Sequence, residues 1–188
     1  SEAVRLMSEG ELLQIEKARR LDISEEIYFE IITKKTATLI AACCAAGTAS
    51  VCDDQKIIDL AKEFGTLTGI AFQIKDDLFD YGNDDQIGKP TGIDVKEKKM
   101  TLPLIYALNN CSWMEKRKVI NIIKNHNEES EQVKVVIDFV IAKGGIAYAN
   151  KIMHEYKNKA LDVLAKLPKN ASRDSLERLL IYAIERKN

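Results

Sequence analysis

Residues 64–80 constrain the fold of this chain more than any other stretch. Phe64, Leu67, Ala71, Ile74 and Leu78 recur at the period of an α-helix, while Gln73, Asp76, Asp77 and Asp80 fall within an arc of about 100°. The two sets are centred roughly 140° apart, so one face is built for a core and the other gathers negative charge. Three carboxylates within about one turn make a poor acid/base pair. Their oxygens do suit a hard divalent cation, with Mg²⁺ the natural candidate. The plainer reading is a solvated acidic face, because like charges one turn apart cost only about 0.2–0.5 kcal/mol per pair. Spacing alone leaves both readings open.

The same helical period runs through the rest of the chain. Residues 3–20 form a moderate amphipathic pattern in which Gly10 permits close packing. Ser24, followed by two glutamates, is an N-cap with an acidic first turn, and the helix it opens is expected to reach about Gly47. Asp53 and Asp54 start the helix that carries the aspartates to about Tyr81, and Gly65 and Gly69 on it allow a close approach to a neighbour or ligand. From Gly82 to Lys99 the helical period is lost among glycines, Pro90 and the lysines at 89, 96, 98 and 99. Helices resume after Thr101, a candidate N-cap, and are expected over 113–125 and 131–143, then from beyond Gly144-Gly145 to Pro168, with Ser172 capping a last one. The fold class is all-α.

Composition narrows the function. With 188 residues, 46% of them hydrophobic, the chain suits one globular core, and a net charge of −1 disfavours nucleic-acid binding through a general positive field. No apolar run reaches the ~18 residues of a membrane span. Cys43, Cys44, Cys52 and Cys111 lack metal-ligand spacing and read as reduced core fillers of a cytoplasmic protein. His126 and His154 read as surface residues.

On the helix that begins near Ser24, Tyr28, Ile31, Ile32, Leu39 and Cys43 form an apolar face with Lys35 in its middle. Such a lysine either snorkels outward or, kept inside, needs an anion, since an unpaired buried charge costs several kcal/mol. Thr36 beside it offers a hydroxyl. The lysine-bearing loop directly after the aspartates is an ordinary solvated loop, or one that closes over a phosphate whose metal ions the aspartates hold.

Four segments in order then resemble the trans-polyprenyl diphosphate synthases. Gly69-Ile-Ala-Phe-Gln-Ile-Lys-Asp-Asp-Leu-Phe-Asp80 is similar to that family's second aspartate-rich motif, and Gly88-Lys89 through Lys99 to Pro103 to the basic loop after it; Gly10-Glu11-Leu-Leu-Gln14 and Lys35-Thr36 match upstream segments. Lys98 departs from the family, which commonly has glycine there. The resemblance covers essentially all of residues 1–188 and implies the C-terminal portion of a single synthase domain, a helical bundle of the isoprenoid synthase type incomplete at its N-terminus. The family's first aspartate-rich motif is not in this sequence.

The activity so implied is transfer of an allylic diphosphate's prenyl group to isopentenyl diphosphate, giving a longer trans-polyprenyl diphosphate by Mg²⁺-assisted ionisation. Carried over by position, Asp76, Asp77 and Asp80 ligate or orient Mg²⁺. Lys35, Lys89 and Lys99 contact the diphosphate, Thr36 and Gln73 stabilise the allylic carbocation, and Asp94 orients the basic loop. A homodimer built on the helices of residues 3–47 is expected, and the isolated chain is expected to be inactive. The alternative is a non-catalytic helical subunit that dimerises with or regulates a complete synthase. Against it stand the intact aspartates and Lys35, which a purely structural subunit does not need. A class I terpene cyclase is disfavoured because its usual Asn/Asp-Ser/Thr-Glu second motif is absent.

Overall fold

The computed structural model describes residues 2–82 and 91–186, and among them the regular structure is entirely helical. In chain order the elements are α1 (Glu2–Arg20), α2 (Glu25–Ile32), a π-helical turn (Thr33–Ala37), α3 (Thr38–Ala49), α4 (Gln55–Phe79), α5 (Ile93–Lys96), α6 (Leu102–Asn109), α7 (Trp113–Asn125), α8 (Ser130–Ala142), α9 (Gly145–Ala165) and α10 (Ala171–Glu185). They fall into two compact units. One comprises Ser1–Glu11, Glu30–Lys75 and Ile152–Lys187; the other comprises Leu12–Phe29 and Asp76–Lys151.

In the first unit, glycines set the packing. A Cβ on Gly65 would stand 2.7 Å from the Ala41 Cα, and one on Gly69 would stand 2.5 Å from the Ala37 Cα, so α4 lies against the α3 backbone there. This is the close approach that the glycine spacing suggested. Gly10 does the same for α1, where a Cβ would stand 2.8 Å from the Lys35 backbone nitrogen. The helix expected from Ser24 to about Gly47 does form, but the π turn at Thr33–Ala37 interrupts its ladder. One inserted residue shifts the following register by roughly 100°. Tyr28, Ile31 and Ile32 are buried as expected, whereas Leu39 is 44% exposed and Cys43 is exposed. Ala37 and Ala41, the residues small enough to meet the glycines, are buried instead.

In the second unit, α8 packs on α5, α6 and α7. α6 is buried almost throughout, from Leu102 to Leu108. Gly145, at the start of α9, has no room for a Cβ, which would overlap the Pro103 carbonyl. α7 begins in a capping box in which the Ser112 hydroxyl accepts from the Glu115 amide while the Glu115 carboxylate accepts from the Ser112 amide. The Ile27 amide lies 3.4 Å from the Ser24 hydroxyl at the start of α2, as expected.

Four local expectations are corrected. The last helix is capped by Asn170, whose side chain accepts from the Arg173 amide at 2.9 Å, rather than by Ser172. Thr101 stands at the N-cap of α6, but its hydroxyl bonds Tyr81 at 2.6 Å instead of capping. The stretch 82–99 is not wholly irregular. Gly92, at φ +78°, turns the chain into α5, whose Val95 is completely buried. The cysteines are free but fill no core: Cys43 is exposed and Cys44, Cys52 and Cys111 are only half-buried.

Candidate active site

The first unit brings Lys35, Thr36 and Gln73 into two polar contacts. The Thr36 hydroxyl donates to Gln73 Oε1 at 2.8 Å, linking the π turn to α4 rather than bonding back to its own helix. Lys35 Nζ sits 2.8 Å from Glu11 Oε2, in a pair whose side chains are 35% and 48% exposed. The lysine in the middle of an apolar face therefore reaches the edge of the core and has its anion there. The Gly10 contact explains how: it holds α1, and with it Glu11, against the backbone of Lys34 and Lys35.

The second unit holds the carboxylates. Asp76 is exposed, but Asp77 and Asp80 are buried, at 7% and 9% exposure, so the acidic face of α4 is not simply solvated. The Tyr28 hydroxyl donates to Asp77 Oδ2 at 2.7 Å. Burial, and then the Asp77 charge, push the Tyr28 phenol well above its ordinary value, so it remains a proton donor to the carboxylate. Asp80 Oδ2 accepts from the Asp94 amide at 3.1 Å, and the Asp80 carbonyl accepts from the Gly92 amide at 3.0 Å. Burial, with the Asp94 charge second, raises the Asp80 carboxyl from 3.8 to about 6, against the pull of the Asp94, Ile93 and Val95 amides at the start of α5.

Lys99 is fixed by its own loop. Its Nζ lies 3.1 Å from Asp94 Oδ1 and 2.5 Å from Glu97 Oε2, and its amide donates to the Asp94 carbonyl at 2.8 Å. Burial acts to lower the ammonium, but the two carboxylates outweigh it and hold Lys99 above the usual lysine range. Asp94 thus touches Asp80 through its amide and Lys99 through its side chain. Lys98 has φ +58°, a left-handed conformation that glycine enters without strain.

Lys89 lies outside the described residues. Among the described residues, no three His, Cys, Asp or Glu side chains stand together as a cation site in this arrangement. The oxygen-only donors Asp76, Asp77 and Asp80 nevertheless have the chemistry a hard cation takes, and the buried Asp80 carboxyl is a group whose ionised form a cation would favour.

Sequence reasoning missed Tyr28 and Glu11 as partners of site residues. Tyr28 was legible only as a core residue, 49 positions from Asp77. Glu11 lies within the segment of residues 10–14, but nothing local to it points toward Lys35.

Residues 1–140 match the profile of the family described as polyprenyl synthetase. The octaprenyl diphosphate synthase of Escherichia coli is 34% identical over 188 residues, covering 99% of this chain and 58% of that protein. The crystal structure of a geranylgeranyl pyrophosphate synthase from Bacteroides thetaiotaomicron superposes with a TM-score of 0.90 at 39% identity, covering 99% of this chain and 62% of that one. A polyprenyl synthase from Caulobacter crescentus, complexed with calcium and isoprenyl diphosphate, gives 0.91 at 32% identity, with 100% and 57% covered. The chain thus spans a little over half the length of the relatives it matches. With an all-helical fold shared at this level and a family match over most of its residues, the chain belongs to the polyprenyl synthetase family.

Proposed function

We propose that this chain supplies the second aspartate-rich part of a prenyltransferase that condenses an allylic diphosphate with isopentenyl diphosphate into a longer trans-polyprenyl diphosphate. The observation that carries the reading is the end of α4, where an exposed Asp76 adjoins the buried, hydrogen-bonded Asp77 and Asp80 in a member of this family. Mg²⁺, held by Asp76, Asp77 and Asp80, would neutralise charge on the departing diphosphate.

The chain's own side chains have distinct parts in this reading. Tyr28 and the Asp94 amide fix the carboxylates. Lys99, and Lys35 once released from Glu11, bind diphosphate oxygens, with Lys89 assigned to the same task by position. The Thr36 hydroxyl and the Gln73 amide present their oxygen dipoles to the allylic cation, and their mutual hydrogen bond keeps both in place. No protein nucleophile is required. The departing diphosphate accepts the proton.

The whole protein is proposed to act as a cytoplasmic homodimer through α1 to α3, a reading supported by the exposed Val4, Leu12 and Ile15 on α1 and Leu39 on α3. A mass for the whole protein that stays monomeric at all concentrations would count against it. The 188-residue chain alone is expected to give no transfer. The decisive experiment is Asp76→Ala in the whole protein, which should lower Mg²⁺-dependent transfer about a hundredfold or more while leaving thermal unfolding unchanged. Near-normal turnover would overturn the assignment.

A further inference from the structure

α7 carries an unusual solvent face. Its buried stripe is Val119, Ile122 and Ile123. On the other side, within an arc of about 140°, stand Trp113, Met114, Arg117, Lys118, Asn121 and Lys124, all exposed. Trp113 and Met114, adjacent in the first turn, are 70% and 74% exposed. Trp113 is the only tryptophan of the sequence. The Arg117 guanidinium lies 5.3 Å from the centre of its ring, so a cation is already held beside the apolar group.

This face carries no carboxylate. The one acid of α7, Glu115, is engaged in the capping box with Ser112 and lies 2.8 Å from Lys143 Nζ. A merely solvated face needs the lysines but not an exposed tryptophan beside a methionine. A protein partner's contact surface would take the tryptophan and methionine, but such surfaces are depleted in lysine. The pattern that uses both sets is a lipid surface, where a Trp ring settles at headgroup depth while Lys and Arg reach phosphate oxygens.

We propose that the solvent face of α7 docks on an anionic lipid surface, with Trp113 and Met114 entering the interface and Arg117, Lys118 and Lys124 facing the lipid phosphates. The contact is interfacial; none of the described helices is long and apolar enough to cross a membrane. The proposal stands on α7 alone and holds whether or not the protein transfers prenyl groups.

The single tryptophan makes the test specific to this face. Vesicles of equal parts phosphatidylcholine and phosphatidylglycerol, titrated into the full chain, should shift Trp113 emission to the blue; phosphatidylcholine alone should do so far less, and added salt should reverse the shift. Each basic residue at such a surface contributes about fivefold to partitioning, so Arg117→Gln with Lys118→Gln should weaken it about twenty-five-fold with an unchanged circular dichroism spectrum. Absence of a shift on anionic vesicles, or equal partitioning of wild type and variant, would overturn the proposal. So would a shift that grows with protein concentration without lipid, which would assign the face to a second copy. An equal shift on polyglutamate would assign it to an acidic protein instead and overturn it as well.

Discussion

The two polar clusters differ in how they are solvated. In the first unit, Thr36, Gln73, Lys35 and Glu11 are half-exposed or exposed, so water shares the task of satisfying them. In the second, Asp77 and Asp80 are buried and depend on Tyr28 and on the amides at the start of α5. α4 contributes to both, with Gln73 to one and the aspartates to the other. A solvated ion pair such as Lys35–Glu11 can exchange partners at little cost when an anion arrives. A buried carboxylate holds its geometry, and its charge becomes expensive unless a cation is near.

That contrast predicts a ranked series of effects on stability. The largest concerns protonation of Asp80. Its folded value of about 6 exceeds the ordinary 3.8, so the native state binds this proton more tightly than the unfolded state. The resulting stabilisation is fully present below pH 3.8 and is lost as pH rises through about 6, a change of about 2–3 kcal/mol. Denaturant unfolding at intervals across this range should show that loss in the wild type and a flatter profile in Asp80→Asn; parallel profiles would break the contrast.

Next comes Tyr28→Phe, which leaves the buried Asp77 without its phenolic donor and should destabilise by about 2 kcal/mol with an unchanged denaturant slope. Thr36→Val, which removes the half-buried hydroxyl from Gln73, should cost about 1 kcal/mol in the same measurement. Glu11→Gln should change stability by less than about 0.5 kcal/mol, because its pair with Lys35 is largely exposed. Reversal of the Tyr28 and Glu11 results would mean that the cluster of the first unit, not that of the second, is the stiffer of the two.

The helices were legible because their signals are local. α7 begins and ends where the pattern of residues 113–125 put it, and the spacing of Gly65 and Gly69 announced a close approach without naming Ala41 and Ala37 as its other side. The π turn left no comparable mark, and with it went the assignment of Leu39 and Cys43 to the buried face. In the site, the aspartates and Lys35-Thr36 stood out as motifs, but their surroundings did not. A helical wheel separates the carboxylates of α4 from its core face and gives no sign of a tyrosine 49 residues earlier or of amides 13 to 15 residues later. Those partners come from tertiary contact, which periodicity within one helix does not encode.

In the proposed function the end of α4 presents a buried carboxylate, Asp80, whose ionised form Mg²⁺ would favour. Carboxyl NMR of Asp80 across a pH titration tests it most directly. The expected midpoint lies near 6 in metal-free protein and moves toward lower pH when Mg²⁺ is added. A midpoint near the ordinary 3.8 that Mg²⁺ leaves in place would contradict it.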